Sequence, residues 1–285
     1  MKPRAFDYVR ADSAAQACDL LQRYGEDARI LAGGQSLMTV LNMRLAQPSV
    51  LIDISRSQAL ATLTSCASAQ GAALQIGAAV TQGTLEWRPG LADELPLLHQ
   101  AIRHISHFQI RNRGTVCGSI AHADPSAELP LCLLALQGEV LLCSTRGERI
   151  VGAEDFFIGM LSTARQSDEL LAAVRFPLAL PGQGFGFQEF SHRHGDFALC
   201  AVAAVASDQG VRIAVGGVAD RPVAQNWPVL QGRDWDDALN ELAWAAQARD
   251  DLHLSAAQRR HLVRQLGRKA LDQALAQRAM KGEEA

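Results

Sequence analysis

The 285-residue sequence lacks several features that mark specialised classes of protein. Its formal net charge is −3, so the basic excess that is typical of nucleic-acid binding is missing. Its longest apolar run, residues 198–206, is far shorter than the roughly 20 residues needed to span a bilayer. Residues 1–6 show no apolar stretch of the kind found in signal peptides. We therefore expect no nucleic-acid partner, no membrane span and a cytoplasmic location.

The cysteines also lack any spacing typical of a metal site, because no C-x-x-C pair is present. We expect reduced, mostly buried thiols. The chain itself is accordingly expected to bind neither an iron–sulfur cluster nor another metal. The six cysteines are Cys18, Cys66, Cys117, Cys132, Cys143 and Cys200.

The composition that remains is that of a globular protein, with 48% hydrophobic and 20% charged residues. The pattern predicts an α+β fold in three stretches, residues 1–57, 58–177 and 178–285. In the first, a helix capped by Asp12 or Ser13 and ending near Tyr24 precedes a strand at 29–32. A turn at 33–36, a helix at 37–45 and a strand at 50–53 complete a βαβ unit.

The second stretch is predicted to be mixed α+β, and the third to combine an antiparallel sheet with helices. Predicted strands of the second stretch are residues 73–76, 139–142 and 170–176, and its predicted helices are 91–105 and 129–136. Predicted strands of the third stretch are residues 185–190, 198–206 and 211–215, and its predicted helices are 236–247 and 256–280.

Two glycine-containing loops are candidates for holding a dinucleotide. The first glycine loop, residues 32–36, joins a predicted strand to a predicted helix. Glycines allow close approach of backbone N–H groups, and a helix N-terminus favours an anion, so the loop suits a pyrophosphate. Gly-Gly turns are also common as purely structural turns. The loop is neither a G-x-G-x-x-G fingerprint nor a Walker A sequence, which excludes the two best-known nucleotide loops.

The second glycine loop, residues 111–130, contains small residues, hydroxyls, a histidine and two carboxylates around Gly114 and Gly118. Its Ser, Thr, Asp and Glu side chains are able to bind ribityl or ribose hydroxyls. An ordinary surface loop with Asx and Ser turns is the alternative. The loop is long and is not built from flexible spacer residues, which favours its interpretation as a binding loop.

At these residues the sequence resembles the FAD-binding, or medium, subunit of molybdenum hydroxylases. That family includes aerobic carbon monoxide dehydrogenases, bacterial xanthine dehydrogenases and N-heterocycle dehydrogenases. The family pattern A-G-G-H/Q-S-L is matched by residues 32–37, and R-L-A-x-P followed by L-I-D-I by residues 44–48 and 51–54. The pattern I-R-N-R-G-T-I-G-G-S-x-A-H-A-D-P-x-A-E-L-P is matched almost completely by residues 110–130. Further matches are residues 156–159, 169–171, 193–198 and 213–222.

The resemblance implies the FAD-binding fold of carbon monoxide dehydrogenase flavoproteins, with FAD held between the first two stretches. It implies that the pyrophosphate and its surroundings are held by Ala32, Gly33, Gly34, Gln35, Ser36, Leu37, Thr115, Cys117, Gly118 and Ser119. It places Ile105 and Ser106 along the flavin and Asp124 and Glu128 near the ribityl chain. Leu171 and Phe197 are implied to cover the isoalloxazine ring.

The function implied by the resemblance is electron transfer within a heterotrimer. A large partner would hold a molybdenum–pterin cofactor and oxidise the substrate, and a small partner would hold two [2Fe–2S] clusters. The expected assembly is a dimer of such heterotrimers. Two alternatives are a self-sufficient flavin oxidase or dehydrogenase and a scaffold subunit that has lost FAD.

Three features bear on these alternatives. No acid–base pair is evident, since His122, His192 and His194 are interpreted as hydrogen-bonded or surface residues, so no catalytic residue is expected. Cys117 replaces a glycine that is usual in the family, and its side chain must point away from a bound pyrophosphate. Xanthine dehydrogenases have a lysine near the position of Glu189, and its absence weakens the case for NAD as electron acceptor.

Overall fold

The computed structural model describes residues 2–230 and 232–283, and its N-terminal stretch contains the predicted βαβ unit. The elements are β1 (Asp7–Arg10), α1 (Ala14–Tyr24), β2 (Ala28–Leu31), α2 (Gln35–Asn42) and β3 (Val50–Asp53). β3 lies between β1 and β2 and runs parallel to both. Ser13 caps α1 by accepting a hydrogen bond from the Gln16 amide. The first glycine loop thus connects the carboxyl end of β2 to α2, which begins at residue 35 rather than at the predicted residue 37.

The middle stretch is built around an antiparallel sheet in the order β4-β5-β10-β6-β7. Its elements are β4 (Leu63–Ser68), β5 (Gly71–Gly77), α3 (Gln82–Glu86), α4 (Leu91–Glu94), α5 (Pro96–Ala101), α6 (Phe108–Arg111), α7 (Val116–His122), α8 (Glu128–Ala135), β6 (Glu139–Ser144), β7 (Gly147–Gly152), α9 (Ala153–Phe156), β8 (Phe157–Gly159), β9 (Ser162–Thr163) and β10 (Leu170–Pro177). All eight residues of α8 are buried, because this helix packs against the C-terminal sheet on one side and against α5, α7 and α9 on others.

The single helix predicted for residues 91–105 is wrong. The chain forms α4 and α5, followed by a 3-10 turn at Ile102–His104. The break occurs at Leu95, whose φ of −136° and ψ of 63° are not helical. Pro96 disfavours helical geometry in the residue before it, yet is itself well suited to the first position of the next helix.

The C-terminal stretch has an antiparallel sheet in the order β11-β12-β13-β14, with two helices packed against it. The elements are β11 (Gly184–Phe190), β12 (Cys200–Ser207), β13 (Gly210–Gly216), β14 (Val223–Trp227), α10 (Asp234–Ala245) and α11 (Ala256–Glu283). β11 lies directly on α11: a Cβ on Gly186 would be 2.0 Å from the Ala270 carbonyl oxygen. Gln273 and Gln277 of α11 accept hydrogen bonds from amides of β11, which satisfies part of this sheet edge.

The buried hydrophobic residues in the described part of the chain form two clusters rather than three. One unites the N-terminal and middle stretches, and α1 buries Ala17, Cys18 and Leu21 in it. The Cys18 Sγ lies 3.5 Å from the Cys143 Sγ of β6, across the junction of these two stretches. The other cluster is formed by α10, α11 and the C-terminal sheet. A βαβ unit of about 57 residues buries too little surface alone, which explains why it shares a core. The three-domain division stays a prediction.

Arg212 of β13 connects the C-terminal sheet to the middle stretch. It is 8% exposed, donates to the Leu134 carbonyl over 3.2 and 3.1 Å, and binds Asn226 at 3.0 Å. It also pairs with the mostly exposed Glu154 at 2.6 Å.

We expect Arg212→Met to lower the free energy of unfolding by about 1–3 kcal/mol, because buried acceptors lose their donors. Urea unfolding followed by circular dichroism measures the change. The exposed Arg56 provides the control, since Arg56→Met should alter stability by less than about 0.5 kcal/mol. Equal effects of the two substitutions would contradict the role assigned to Arg212.

Candidate dinucleotide-binding site

The two glycine loops meet through their backbones. A Cβ on Gly33 would lie 2.3 Å from the Arg113 carbonyl oxygen and 2.7 Å from the Gly114 Cα. Since no side chain fits between them, only glycine at position 33 permits this approach. The structure therefore brings together the two segments that the sequence identified separately.

The first glycine loop has the geometry of an anion-binding turn. Gly34 adopts the left-handed conformation, with φ of 74°, and caps α2 without a side-chain hydrogen bond. The early amides of α2 therefore remain available to a ligand. Gln35 Nε2 donates to the Gly33 carbonyl at 3.1 Å, which fixes the loop, and the Ser36 hydroxyl has no hydrogen bond in the described residues. Ala32 and Leu37, which flank the turn, are half-buried.

The second glycine loop is anchored to the start of α3. The Gln82 amide donates to the Gly114 carbonyl at 2.8 Å, and Thr115 forms a strand-like bridge with Thr81. The Thr115 Oγ1 then caps α7 by accepting from the Gly118 amide at 3.0 Å. A Cβ on Gly118 would meet that oxygen at 2.6 Å, so a larger residue here would displace the Thr115 hydroxyl from its present position. Ser119, in the first turn of α7, is half-buried, and its hydroxyl has no hydrogen bond within the described residues.

Cys117 points away from the site, as the sequence required. It is 2% exposed, and its Sγ lies 3.3 Å from the Ile76 carbonyl of β5. Burial raises the pKa of the Cys117 thiol far above its ordinary value, so the side chain is a neutral core group. Its replacement of a glycine is therefore compatible with a ligand on the opposite side of the loop.

The end of the second loop positions two carboxyl groups differently. Asp124 Oδ1 accepts from the Ser126 amide at 2.9 Å in an Asx turn, directly after the left-handed Ala123. Glu128 begins α8 and is 7% exposed. Burial, followed by the charge of Glu189, raises the pKa of the Glu128 carboxyl to about 8.

Ile105 and Ser106 lie at the junction with the C-terminal stretch. Arg111 donates to their carbonyls at 2.8 and 3.1 Å while forming a two-point ion pair with Glu86 at 2.8 and 2.9 Å. This pairing holds Ser106 in a left-handed conformation, with φ of 41°. A Cβ on Gly195 would be 3.0 Å from the Ser106 carbonyl, so the loop after β11 packs on this backbone.

The two residues expected to cover the flavin differ in exposure. Phe197 is 69% exposed and follows the loop that packs on Ser106, so its ring is free to contact a ligand. Leu171 of β10 is 5% exposed and belongs to the hydrophobic core. An open cleft of about 450 Å³ adjoins Ser106 and is lined by Arg103, His107, Phe108, Gln109, Arg111 and His194. The assigned role of each residue stays a prediction.

These groups fit a diphosphate. Arg111 is occupied by Glu86, whereas the exposed Arg113 makes no side-chain hydrogen bond or ion pair in the described part of the chain. Arg113 therefore provides an unpaired guanidinium beside the contact of the two loops. Gln82, which the sequence did not single out, is buried next to Gly114, and its Oε1 has no hydrogen-bond partner in the described residues. Because Gln82 belongs to no recognisable motif, the sequence could not identify it as a residue of the site.

Comparison with known proteins agrees with this geometry. Residues 4–179 match the family described as the FAD binding domain in molybdopterin dehydrogenase. The chain belongs to this family. The nicotine 6-hydroxylase medium subunit of Paenarthrobacter nicotinovorans is 41% identical to it, over 96% of this chain and 99% of the relative. The caffeine dehydrogenase subunit beta of Pseudomonas sp. is 36% identical, over 78% and 76% of the two chains.

Solved structures extend the match to the C-terminal stretch. Carbon monoxide dehydrogenase from Hydrogenophaga pseudoflava has a chain with a TM-score of 0.91 and 30% identity, covering 97% of this chain and 99% of the other. Quinoline 2-oxidoreductase from Pseudomonas putida 86 has one with a TM-score of 0.87 and 32% identity, covering 98% and 100%. The expected α+β flavoprotein fold is thus confirmed, and the chain is an FAD-binding medium subunit of the molybdenum hydroxylase type.

No helix within residues 2–230 and 232–283 combines the length and apolar character needed to cross a membrane. The same ranges contain no cluster of three or more His, Cys, Asp or Glu side chains placed to hold a metal ion.

Substitution of Gly33 tests the contact between the loops. We expect Gly33→Ala to weaken FAD binding by about 100-fold, roughly 3 kcal/mol, because a methyl group would push the two loops apart. Fluorescence titration with FAD measures the affinity. Gly152→Ala is the matched control, since Gly152 has a φ of −66° and open space around a Cβ. An unchanged FAD affinity in Gly33→Ala would contradict the proposed role of the contact between the two glycine loops in holding FAD.

Substitution of Cys117 tests its orientation. Because the thiol faces β5, we expect Cys117→Ala to leave FAD affinity within about twofold while lowering stability by roughly 1 kcal/mol. The same titration and urea unfolding measure the two quantities. In the native protein, thiol-specific alkylation should modify Cys117 far more slowly than the partly exposed Cys66. A large loss of FAD affinity would place the side chain on the ligand side of the loop.

Proposed function

We propose that this chain is the electron-transfer subunit of a heterotrimeric molybdenum hydroxylase, passing electrons from partner iron–sulfur clusters through FAD to an external acceptor. The observation that carries the proposal is the backbone contact between the two glycine loops, with Arg113 unpaired beside it. Such an arrangement binds a dinucleotide through amides, hydroxyls and one cation. The family match identifies that dinucleotide as FAD.

The chain's own residues bind and orient the cofactor. Backbone amides of the first turn of α2, the hydroxyls of Ser36 and Ser119 and the Arg113 guanidinium hold the pyrophosphate. Ser106 and Phe197 position the isoalloxazine ring. When bound, FAD supplies the ability to accept electrons singly and to release them in pairs, which is chemistry of the cofactor rather than of the protein.

The substrate of the complex is assigned to a partner subunit. Relatives of this chain are named for nicotine, caffeine and carbon monoxide, and structural neighbours for carbon monoxide and quinoline. Three of these molecules are nitrogen heterocycles of different size and shape and the fourth is a diatomic gas, although the corresponding chains share sequence and fold. A subunit whose architecture is constant while the substrate changes is best explained as a common electron carrier.

Two partners complete the proposed complex. A large subunit holds the molybdenum–pterin cofactor and a small subunit holds two [2Fe–2S] clusters, in a dimer of heterotrimers in the cytoplasm. The relative from Hydrogenophaga pseudoflava is described as lacking the Mo-pyranopterin moiety of its molybdenum cofactor. This description supports a molybdenum partner for a chain with the present fold.

The two alternatives have less support. A self-sufficient flavin oxidase requires a base near the flavin that is free to act on an organic substrate. Asp124 is held in an Asx turn and Glu128 is buried. A scaffold that has lost FAD was favoured only by Cys117, whose side chain lies on the far side of the loop.

We expect the purified chain to bind one FAD without a covalent bond, to contain no iron, and to be reduced by dithionite but not by nicotine, caffeine or quinoline. The absorption spectrum, acid release of the flavin and anaerobic titration measure these properties. Reduction by one of the organic compounds would favour the self-sufficient oxidase. A colourless chain that takes up no FAD, either alone or in a co-purified complex, would favour the scaffold.

A further inference from the structure

Two cysteine thiols face each other across the junction of the N-terminal and middle stretches. The Cys18 Sγ, on α1, lies 3.5 Å from the Cys143 Sγ, on β6, and 3.3 Å from the Cys143 carbonyl oxygen. The two residues are 125 positions apart in sequence, and both are free thiols. Among the described residues, this is the one pair of cysteines whose sulfur atoms are in contact.

The elements that carry these thiols are fixed relative to each other. α1 packs on β6 and β10, and both cysteines belong to the hydrophobic cluster that unites the two stretches. Cys18 is 3% exposed and Cys143 is 6% exposed. A disulfide has an S–S distance of about 2.05 Å, so the two sulfur atoms need to approach by roughly 1.5 Å. A shift of this size is within the reach of side-chain rotation and a small backbone movement.

The contact makes the two sulfur atoms chemically unequal. Burial raises the pKa of both thiols, and it raises that of Cys143 to about 12. The hydrogen bond between the two side chains then lowers the pKa of Cys18 and raises that of Cys143 further. Cys18 is therefore the more readily ionised sulfur and the better nucleophile, and Cys143 is the thiol that resolves the first product.

Charged groups from three neighbouring segments also act on the pair. All of them disfavour a thiolate, because they are the carboxylates of Asp19 on α1, Glu148 on β7, and Asp168 and Glu169 directly before β10. Arg146 and Arg149 bind Asp168 and Glu169. The pair is thus a neutral dithiol at neutral pH, and its oxidation is expected to accelerate as pH rises.

We propose that Cys18 and Cys143 form a reversible disulfide when the chain meets a hydroperoxide, and that this bond joins the two stretches that carry the glycine loops. The Cys18 sulfur attacks the O–O bond of hydrogen peroxide, which gives a sulfenic acid at Cys18 and one water. The Cys143 sulfur then attacks the Cys18 sulfur, which forms the S–S bond and releases a second water. The two thiols lose two protons and two electrons, and the peroxide accepts both.

The position of the cross-link gives it a consequence for the cofactor, which rests on the proposed function. The bond closes a covalent loop over residues 18–143, which contains both glycine loops. Opening the contact between Gly33 and the Arg113 backbone then becomes more difficult, because the two stretches are no longer free to separate. Reduced flavins release hydrogen peroxide on reaction with oxygen. The disulfide would therefore retain FAD under the conditions that generate the oxidant.

The first test requires no flavin. The full chain is treated with hydrogen peroxide between pH 7 and 9 and digested without reduction by proteases that cleave after Arg and Glu. Residues 11–23 and 140–146 are then released, and each peptide contains one cysteine. We expect the two peptides to be joined, two hydrogens lighter than their sum, and to separate on addition of dithiothreitol. The yield at a fixed time should rise with pH.

The variants separate this pair from other thiols. Cys18→Ser and Cys143→Ser should each abolish the joined peptide. Cys66→Ala is the control and should leave its yield unchanged, since Cys66 lies half-buried on β4 outside the pair. Wild-type protein in which Cys18 and Cys143 stay reduced, or are oxidised to sulfinic acids without forming the joined peptide, would overturn the proposal and leave the contact as packing only.

Thermal unfolding tests whether the bond fits the fold. Because it closes a loop of more than 100 residues, the oxidised chain should melt about 5 °C or more above the reduced one, and dithiothreitol should remove the difference. Peroxide-treated Cys18→Ser should show no such increase. A joined chain that melts at a lower temperature than the reduced one would contradict the stabilising role of the cross-link.

The final measurement is the release of FAD, followed by flavin fluorescence during heating of the FAD-loaded chain. The oxidised chain should release FAD at a temperature about 5 °C or more above that of the reduced chain, and Cys143→Ser should remove the difference. Equal release temperatures would refute the effect of the bond on the cofactor. A disulfide that forms in a chain unable to bind FAD would retain the cross-linking site and refute the proposed function.

Discussion

The contact of Gly33 with the Arg113–Gly114 backbone is the constraint on which the rest of the site depends. It brings the end of β2 against the loop before α7, although these segments are about eighty residues apart in sequence. Neither loop alone distinguishes a binding turn from a structural one. Together they provide two turns with left-handed or closely packed glycines, and hydroxyls and one guanidinium that have no partner among the described residues.

This contact is possible because the N-terminal and middle stretches share one hydrophobic core. α1 packs on β6 and β10 of the middle sheet, so the small parallel sheet is fixed relative to α3 and α7. The candidate FAD site therefore lies between the N-terminal and middle stretches, which are held together by continuous apolar packing rather than joined by a mobile hinge. A rigid binding site suits the proposed electron transfer, which requires a fixed cofactor position more than it requires a moving substrate pocket.

The C-terminal stretch packs against the end of the candidate site where the flavin is proposed to lie, instead of forming an unrelated module. Gly195 packs on Ser106, and Arg212 reaches the end of α8. Each of these contacts crosses from the C-terminal sheet to a segment next to the second loop. Substitutions in the C-terminal stretch are thus able to alter a site whose glycine loops belong entirely to residues 1–177.

The sequence by itself determined the family, the two loops and the helical or extended character of most long segments, because these are encoded in local runs such as residues 32–37 and 110–130. It missed β4 and β7, whose largely exposed residues give no clear apolar alternation. It predicted one helix running through Pro96. The steric effect of this proline on Leu95 instead ends one helix and begins a second. The sequence indicated the direction of the Cys117 side chain only indirectly, since that side chain has to point away from a bound pyrophosphate. Only the tertiary structure decided that Arg111 is paired while Arg113 has no partner among the described residues, and that burial raises the pKa of the Glu128 carboxyl. These facts depend on which distant segments pack together, and the protonation of a carboxyl group follows from its surroundings rather than from its neighbours in sequence.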